Sequence, residues 1–153
     1  MLANLAVASV MVAITVVFHF WGLLGLTWSL QRSSTHLDPH RSRRRQAFLI
    51  LVVVFGIFAL HTTEIWSYAL LYTGLGEFRD FETALYFATT TFVSLGIGDV
   101  TLGGQWRLVS AIEAANGVIL IGWSTAFLLA ITTRLRLLEH DWLEETPAKG
   151  GPR

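Results

Sequence analysis

The stretch Phe81-Glu-Thr-Ala-Leu-Tyr-Phe-Ala-Thr-Thr-Thr-Phe-Val93, followed at once by Ser94-Leu-Gly-Ile-Gly-Asp99, is too apolar for an ordinary loop and too short for a membrane crossing. A helix of about 13 residues spans about 20 Å at 1.5 Å per residue, whereas the hydrocarbon core of a bilayer is about 30 Å thick. Such a segment suits a re-entrant helix. Asp80 precedes it as a good N-cap, and Glu82 falls in its first turn, where an anion meets the positive end of the helix dipole. Behind it, Gly96 and Gly98 sit at alternate positions, and glycine adopts backbone angles closed to other residues. A ring of such strands over residues 94–99 can aim its carbonyl oxygens at a central axis, where stacked carbonyls replace the water shell of a cation. Irregular backbone at membrane depth is tolerated only where it lines a cavity or is buried in protein. The negative end of the re-entrant helix faces that same cavity and favours a cation in it.

The rest of the chain fits a membrane setting. Of its 153 residues, 53% are hydrophobic and only 14% charged; about 25% charged is usual for a soluble domain, so there are too few charges to cover a soluble surface. The chain has no Cys, which excludes disulfides, thiol catalysis and thiolate metal sites. No basic face for nucleic acid is expected. Met1 to Gln31 carries no charged side chain, and a run of this length without a basic start reads as a span over residues 4–30 rather than a signal peptide. A second apolar run extends from Ala47 to about Thr73, interrupted by His61 and Glu64, and a third from Leu108 to Thr133, with Glu113 near its start. The fold class expected is an all-α membrane protein: three transmembrane helices plus a re-entrant pore helix and filter strand, assembling as a tetramer. The expected divisions are a peripheral transmembrane helix at 1–31, a basic cytoplasmic loop at 32–46, a pore domain at 47–133 and a cytoplasmic tail at 134–153. The pore domain divides into an outer helix, a pore helix at 80–93, a filter at 94–99 and an inner helix at 107–133.

Charge distribution sets the orientation. The first connection holds Arg32, Arg41, Arg43, Arg44 and Arg45 against Asp38, while residues 74–106 hold Glu77, Asp80, Glu82 and Asp99 against Arg79. Basic loops stay in the cytoplasm, so the N-terminus is expected outside and the C-terminus inside, with Arg134 and Arg136 closing the last span on the cytoplasmic side. The arginines at 41, 43, 44 and 45 serve as a topology signal, with an anionic-lipid site as the sharper alternative.

Ser94 to Asp99 resembles the Thr-Val-Gly-Tyr-Gly-Asp motif of potassium channels, and the context is similar. Ala84-Leu85-Tyr86-Phe87 looks like the start of that family's pore helix, Arg107-Leu108-Val109 begins an inner helix at the expected offset, and Gly117 falls near the family's hinge glycine. The segment from Glu113 to Ala126 is similar to the inner helix of small bacterial ion-channel proteins with three hydrophobic spans. The resemblance covers about residues 47–133. It implies that backbone carbonyls of Ser94, Leu95, Gly96, Ile97 and Gly98 hold a monovalent cation, with Phe87, Thr90, Asp99 and Glu113 supporting the filter. It also implies a homotetramer in a lipid bilayer, in a bacterial inner membrane, with K⁺ as the permeant ion and no cofactor. Ser94 stands where the family has Thr and keeps its hydroxyl; Ile97 stands where the family has Tyr and cannot hydrogen-bond outward. Packing of Ile97 on Phe87 is less directional, so a softer filter is expected. A Thr90–Asp99 contact would stand in for the Glu that some relatives place at the Thr90 position.

The remaining polar and small residues each carry two readings. His61 and Glu64 lie one turn apart in the second span, with His19 at a similar depth in the first. Such groups form a proton-sensitive switch or an interhelical hydrogen-bond pair that joins the first helix to the second. Glu113 braces the filter, tunes the charge of the cavity, or reaches the outer interface and water. Gly117 is a hinge or a close-packing site, as is Gly122. Gly117, Ile121, Thr125 and Leu129 share one helical face and are expected to line the cavity, with Leu129 or Thr133 as a dewetting gate. Leu135, Leu138 and Trp142 suggest an amphipathic continuation, and 147–153 is expected to be disordered. No regulatory domain and no arginine-repeat voltage sensor is expected. Enzyme chemistry finds no nucleophile–base pair or metal-ligand spacing. The alternatives to a potassium channel are a weakly selective monovalent cation channel and a non-conducting membrane accessory subunit.

Overall fold

The computed structural model describes residues 1–34 and 43–134. The lipid expectation at Arg41, Arg43, Arg44 and Arg45 and the tail expectation beyond Arg134 lie outside the described residues and side chains. Four helices follow in order: α1 (Leu2–Ser34), α2 (Arg43–Gly74), α3 (Phe81–Phe92) and α4 (Arg107–Arg134). Three stretches, Leu2–Arg32, Ala47–Gly74 and Arg107–Thr133, are long and apolar enough to cross a membrane. At 12 residues, α3 is not. The protein is therefore an all-α membrane protein with three membrane-capable helices and one short inserted helix. The segment 94–99, expected as a filter strand, makes no β-ladder among the described residues; it leaves the helix in a turn at Ser94, runs irregularly through 95–97 and bends at 98–99.

Each long helix buries one narrow stripe. On α1 the stripe is Ala8, Met11, Thr15, His19 and Leu23. The spacing of three and four keeps these side chains on one face. That face meets both α2 and α4, so the first helix packs on its own chain. Glycines set the closest approaches between α1 and α2. A Cβ on Gly22 would lie 2.5 Å from a methyl of Leu60, and one on Gly56 would lie 2.5 Å from a methyl of Leu26. Each leucine fills the space above the other helix's glycine, the small-residue packing that draws helices together where lipid removes the hydrophobic incentive.

The ends of α2 and α3 are built from local hydrogen bonds. At the end of α2, the Gly76 N–H donates to the Thr73 carbonyl and the Glu77 N–H to the Tyr72 carbonyl, both at 3.1 Å. This paired pattern satisfies two orphan carbonyls and needs a left-handed residue at its turn; Gly76 supplies it, with φ of 74°. Asp80 caps α3 as the sequence implies, its carboxylate accepting from the Thr83 N–H at 2.7 Å and the Thr83 hydroxyl at 2.9 Å. These two bonds hold the Asp80 carboxyl below the usual aspartate range.

The C-terminal end of α3 rests on α4 at Gly117. A Cβ at that position would lie 2.0 Å from the Phe92 carbonyl oxygen and 2.8 Å from its carbon. Backbone, not a flexible side-chain tip, occupies the space. Gly117 is thus the close-packing site of the two sequence readings.

Two predictions follow from these contacts. Gly117→Ala must push the pore helix off α4 and should lower stability by about 3 kcal/mol or more, read as a collapse of the thermal melt in micelles. Gly122→Ala, with nothing within 4 Å of its added methyl, should melt close to the parent. Because the folded Asp80 value is depressed, the stability from its cap is present above the unfolded aspartate value and lost as pH falls through the folded one. The melting gap between the parent and Asp80→Ala should therefore be full at pH 7 and shrink steadily below about pH 4.

Candidate functional site

The segment 94–99, expected as the filter, starts as a helix terminus. The Ser94 N–H donates to the Thr91 carbonyl and the Leu95 N–H to the Thr90 carbonyl, both at 2.8 Å, and the Gly96 N–H shares the Thr90 carbonyl at 3.2 Å. This is the same paired terminus that closes α2, but its left-handed position is Ser94, with φ of 57°. A side chain there is strained, since β-carbon sterics favour glycine. The Ser94 hydroxyl reaches the Ala114 carbonyl of α4 at 3.3 Å. Beyond it, φ is positive again at Gly96 (53°) and Gly98 (83°), with Leu95 and Ile97 between them on the negative side. Alternation of left- and right-handed residues turns successive N–H groups to one side of the chain, and so turns the carbonyls to the other. Every residue from Val93 to Asp99 is exposed on the single chain.

The segment is held from behind and from beyond. The Tyr86 phenol donates to Asp99 at 2.9 Å. The expected Thr90–Asp99 contact is not the one formed. Thr90 instead donates to the Phe87 carbonyl one turn back at 3.0 Å, because a short hydroxyl on the helix finds its own backbone first. Phe87 is buried, its ring 5.3 Å from those of both Tyr72 and Phe78, while Ile97 remains 57% exposed. After the filter, the Val100 N–H bonds to Asp99 at 3.0 Å, and the Gly103 N–H donates to Glu77 at 2.7 Å. The Asn4 side chain of α1 donates to the Gln105 carbonyl. These ties pin the loop that leads into α4.

A family model described as ion channel matches residues 47–134, which is more than half of the chain. The chain belongs to the ion channel family. Comparison with curated proteins and with solved structures gives no match. The matched range begins at the outer helix and ends with the inner helix, so α1 stands outside it, as the resemblance implied.

Around this segment the structure gathers polar groups from three helices. Glu113 is fully buried and accepts from the Tyr72 phenol at 2.5 Å. Its bond therefore goes to the outer helix and not to residues 94–99. The other oxygen, Oε1, is the buried side-chain polar atom without a hydrogen-bond partner among the described residues. Asn116 donates to the Thr15 hydroxyl at 2.8 Å and the Tyr68 phenol at 3.2 Å, joining three helices. Neither Asn116 nor the two tyrosines were singled out from sequence. Their only signal was an unusual density of hydrogen-bonding groups within apolar spans. The His61–Glu64 pair is present, with His61 Nδ1 2.8 Å from one carboxylate oxygen, and His19 of α1 completes it at 2.7 Å from the other.

On the proposed cavity face of α4, Gly117 is buried against α3, Ile121 is partly buried, and Thr125 and Leu129 are exposed. The face is thus covered at its Gly117 end and uncovered at its Leu129 end.

Tyr86 carries the one hydrogen bond from α3 to Asp99, while its ring is 40% exposed and contributes little to the chain's own core. Tyr86→Phe is expected to leave the thermal melt near the parent value but to shorten open dwell times several-fold in single-channel recordings. Tyr86→Trp, which restores a donor at the same position, should recover part of the loss.

Proposed function

We propose that this channel conducts potassium passively, through a carbonyl-lined filter formed by Ser94, Leu95, Gly96, Ile97 and Gly98 at the axis of a homotetramer. The observation that carries this reading is the alternation of φ signs from Ser94 to Gly98, with the N–H groups of Ser94, Leu95 and Gly96 folded back on the end of α3. Amides turned outward leave carbonyls to face inward, and stacked carbonyls substitute for the hydration shell of a cation. The tetramer is supported by exposure. Val93 to Asp99 is irregular backbone with no cover on one chain, and lipid cannot satisfy it. Further copies around an axis supply the cover, and closed rings of identical subunits are the common solution. An open groove between this segment and α4, lined in part by Thr91, Ile97, Val100, Ser110 and Ala114, gives a neighbouring subunit a place to lie. The basic connection and the acidic 74–106 segment support a topology with the N-terminus outside and the C-terminus in the cytoplasm, in a bacterial inner membrane.

A second reading, a weakly selective monovalent cation channel, is favoured by one observation. Ile97 is 57% exposed and its side chain has no polar group to fix the width of the filter. A filter without a polar tie at this position adapts more readily to a smaller ion. The accessory-subunit reading has no specific observation in its favour.

The test is the reversal potential of purified protein in a planar bilayer, with potassium on one side and sodium on the other. A value near the potassium equilibrium potential is expected. A value near zero with measurable current would replace this reading by the weakly selective one. Native mass spectrometry in nanodiscs should give a mass of four chains, and a monomer or dimer would overturn the assembly.

A further inference from the structure

His19 of α1 and His61 and Glu64 of α2 form a compact group at membrane depth. His19 and Glu64 have no exposed side-chain surface, and His61 has 16%. The two imidazoles turn the same nitrogen, Nδ1, toward opposite oxygens of the one carboxylate, at 2.7 and 2.8 Å. One ligand atom from each of the three residues lies within 4.8 Å of the others. Three ligands on a tetrahedral ion, each about 2.0–2.2 Å from it, stand about 3.4 Å apart. Small side-chain rotations therefore convert the hydrogen-bonded group into a coordinating one.

We propose that His19, His61 and Glu64 form a binding site for a borderline-soft divalent cation of the zinc class, with a fourth position left to water or an anion. Three features favour it. Two imidazoles and a carboxylate are a zinc ligand set with one open position. With Glu64 ionised and both rings neutral, each Nδ1 carries a proton and donates to the carboxylate. In the metal-bound form each ring takes its other tautomer, with the proton on Nε2 in place of Nδ1, so the ring protons balance. On His19, the Nε2 atom lies 3.3 Å from the Ser124 hydroxyl of α4. A ligating histidine commonly gives its second N–H to such a partner, which fixes the ring. His61, with 16% of its side-chain surface exposed on the single chain, is the member of the group an ion could reach from outside. A lone cation at this depth would be costly, and the carboxylate and an anionic fourth ligand offset its charge. The site joins α1 to the pore domain next to the filter: the His61 ring is 5.8 Å from that of Phe92, the last residue of α3. An occupied site would tie the peripheral helix to the outer helix at the level of the filter's base.

The test uses the full chain in micelles, with the other three histidines, His36, His40 and His140, changed to glutamine so that they cannot bind. Co²⁺ is the probe, since four-coordinate Co²⁺ gives strong visible absorption, and Zn²⁺ is the competitor. One Co²⁺ per chain, displaced by Zn²⁺, is expected, with a higher melting temperature for the loaded protein. His61→Gln, at the partly exposed position, should weaken binding on the order of 100-fold. Ser124→Ala, which removes only the outer partner, should weaken it about tenfold. Glu64→Gln should abolish binding, and circular dichroism checks that it remains helical; if it does not, His61→Gln decides alone. Absence of visible bands and of retained zinc would overturn the proposal, as would binding unchanged in His61→Gln. Neither readout depends on ion conduction, so failure of the channel reading and failure of this site are separate results.

Discussion

A backbone that leaves the helix at membrane depth has no water to bond with, and this constraint organises the pore domain. Each N–H and C=O freed at the end of α3 must find protein. The solution is local: Thr90 and Thr91 offer their carbonyls to Ser94, Leu95 and Gly96. That pattern forces the left-handed angle at Ser94, where strain is the cost of leaving the helix in so tight a turn. It also fixes where α3 must stop relative to α4. The Phe92 carbonyl lies so close to Gly117 that only hydrogen fits on that α-carbon. The positions of the short helix, the filter's start and the inner helix are therefore set together.

The second organising feature is a polar seam inside an apolar shell. Thr15 and His19 on α1, Glu64, Tyr68 and Tyr72 on α2, and Glu113, Asn116 and Ser124 on α4 are connected by direct hydrogen bonds. Apolar packing alone gives lipid-embedded helices little preference for one partner or rotation. Interhelical hydrogen bonds add about 0.6 to 2 kcal/mol each, but their larger effect is on register, because a helix turned by one residue would leave several of them unmade. The seam explains why α1, whose remaining surface is apolar, docks along one stripe. It also places the unpartnered Oε1 of Glu113 within a few residues of the filter's contact with α4.

Much of this was legible from residue order. Lengths of apolar runs gave three crossings and one insertion, since the contrast between about 13 residues and about 20 or more is decided by bilayer thickness. The Asp80 cap was readable because N-capping is a local property of sequence. What failed to read were choices among partners. Thr90 and Tyr86 are both plausible supports for Asp99, four residues apart on one helix; the distance a side chain can span decides between them, and the longer phenol reaches. Glu113 was assigned to the filter by its proximity in sequence, yet Tyr72, 41 residues away, supplies its bond. His61, Glu64 and His19 were grouped by helical spacing and common depth, but which carboxylate oxygen each imidazole takes depends on the rotation of a separate helix. Local spacing cannot carry that information. Positive φ at Ser94 was likewise invisible, because nothing in a serine announces a position that normally favours glycine.

The attachment of α1 bears on where the inner helix can bend. A hinge at Gly117 was one sequence reading, and glycine at that position does relax the backbone. In the structure, however, Gly117 lies under the Phe92 carbonyl, and it is bracketed by two residues bonded to α1: Asn116 to Thr15 and Ser124 to His19. Bending between them must either break a buried hydrogen bond or carry α1 along. Beyond Ser124 those restraints end. Thr125 and Leu129 are exposed, and the hydroxyls of Thr125, Thr132 and Thr133 bond back to their own helix, an arrangement that favours bending of a helix. The small residue that looks most like a hinge is thus held from two sides, while the stretch of α4 after Ser124 lies beyond these restraints.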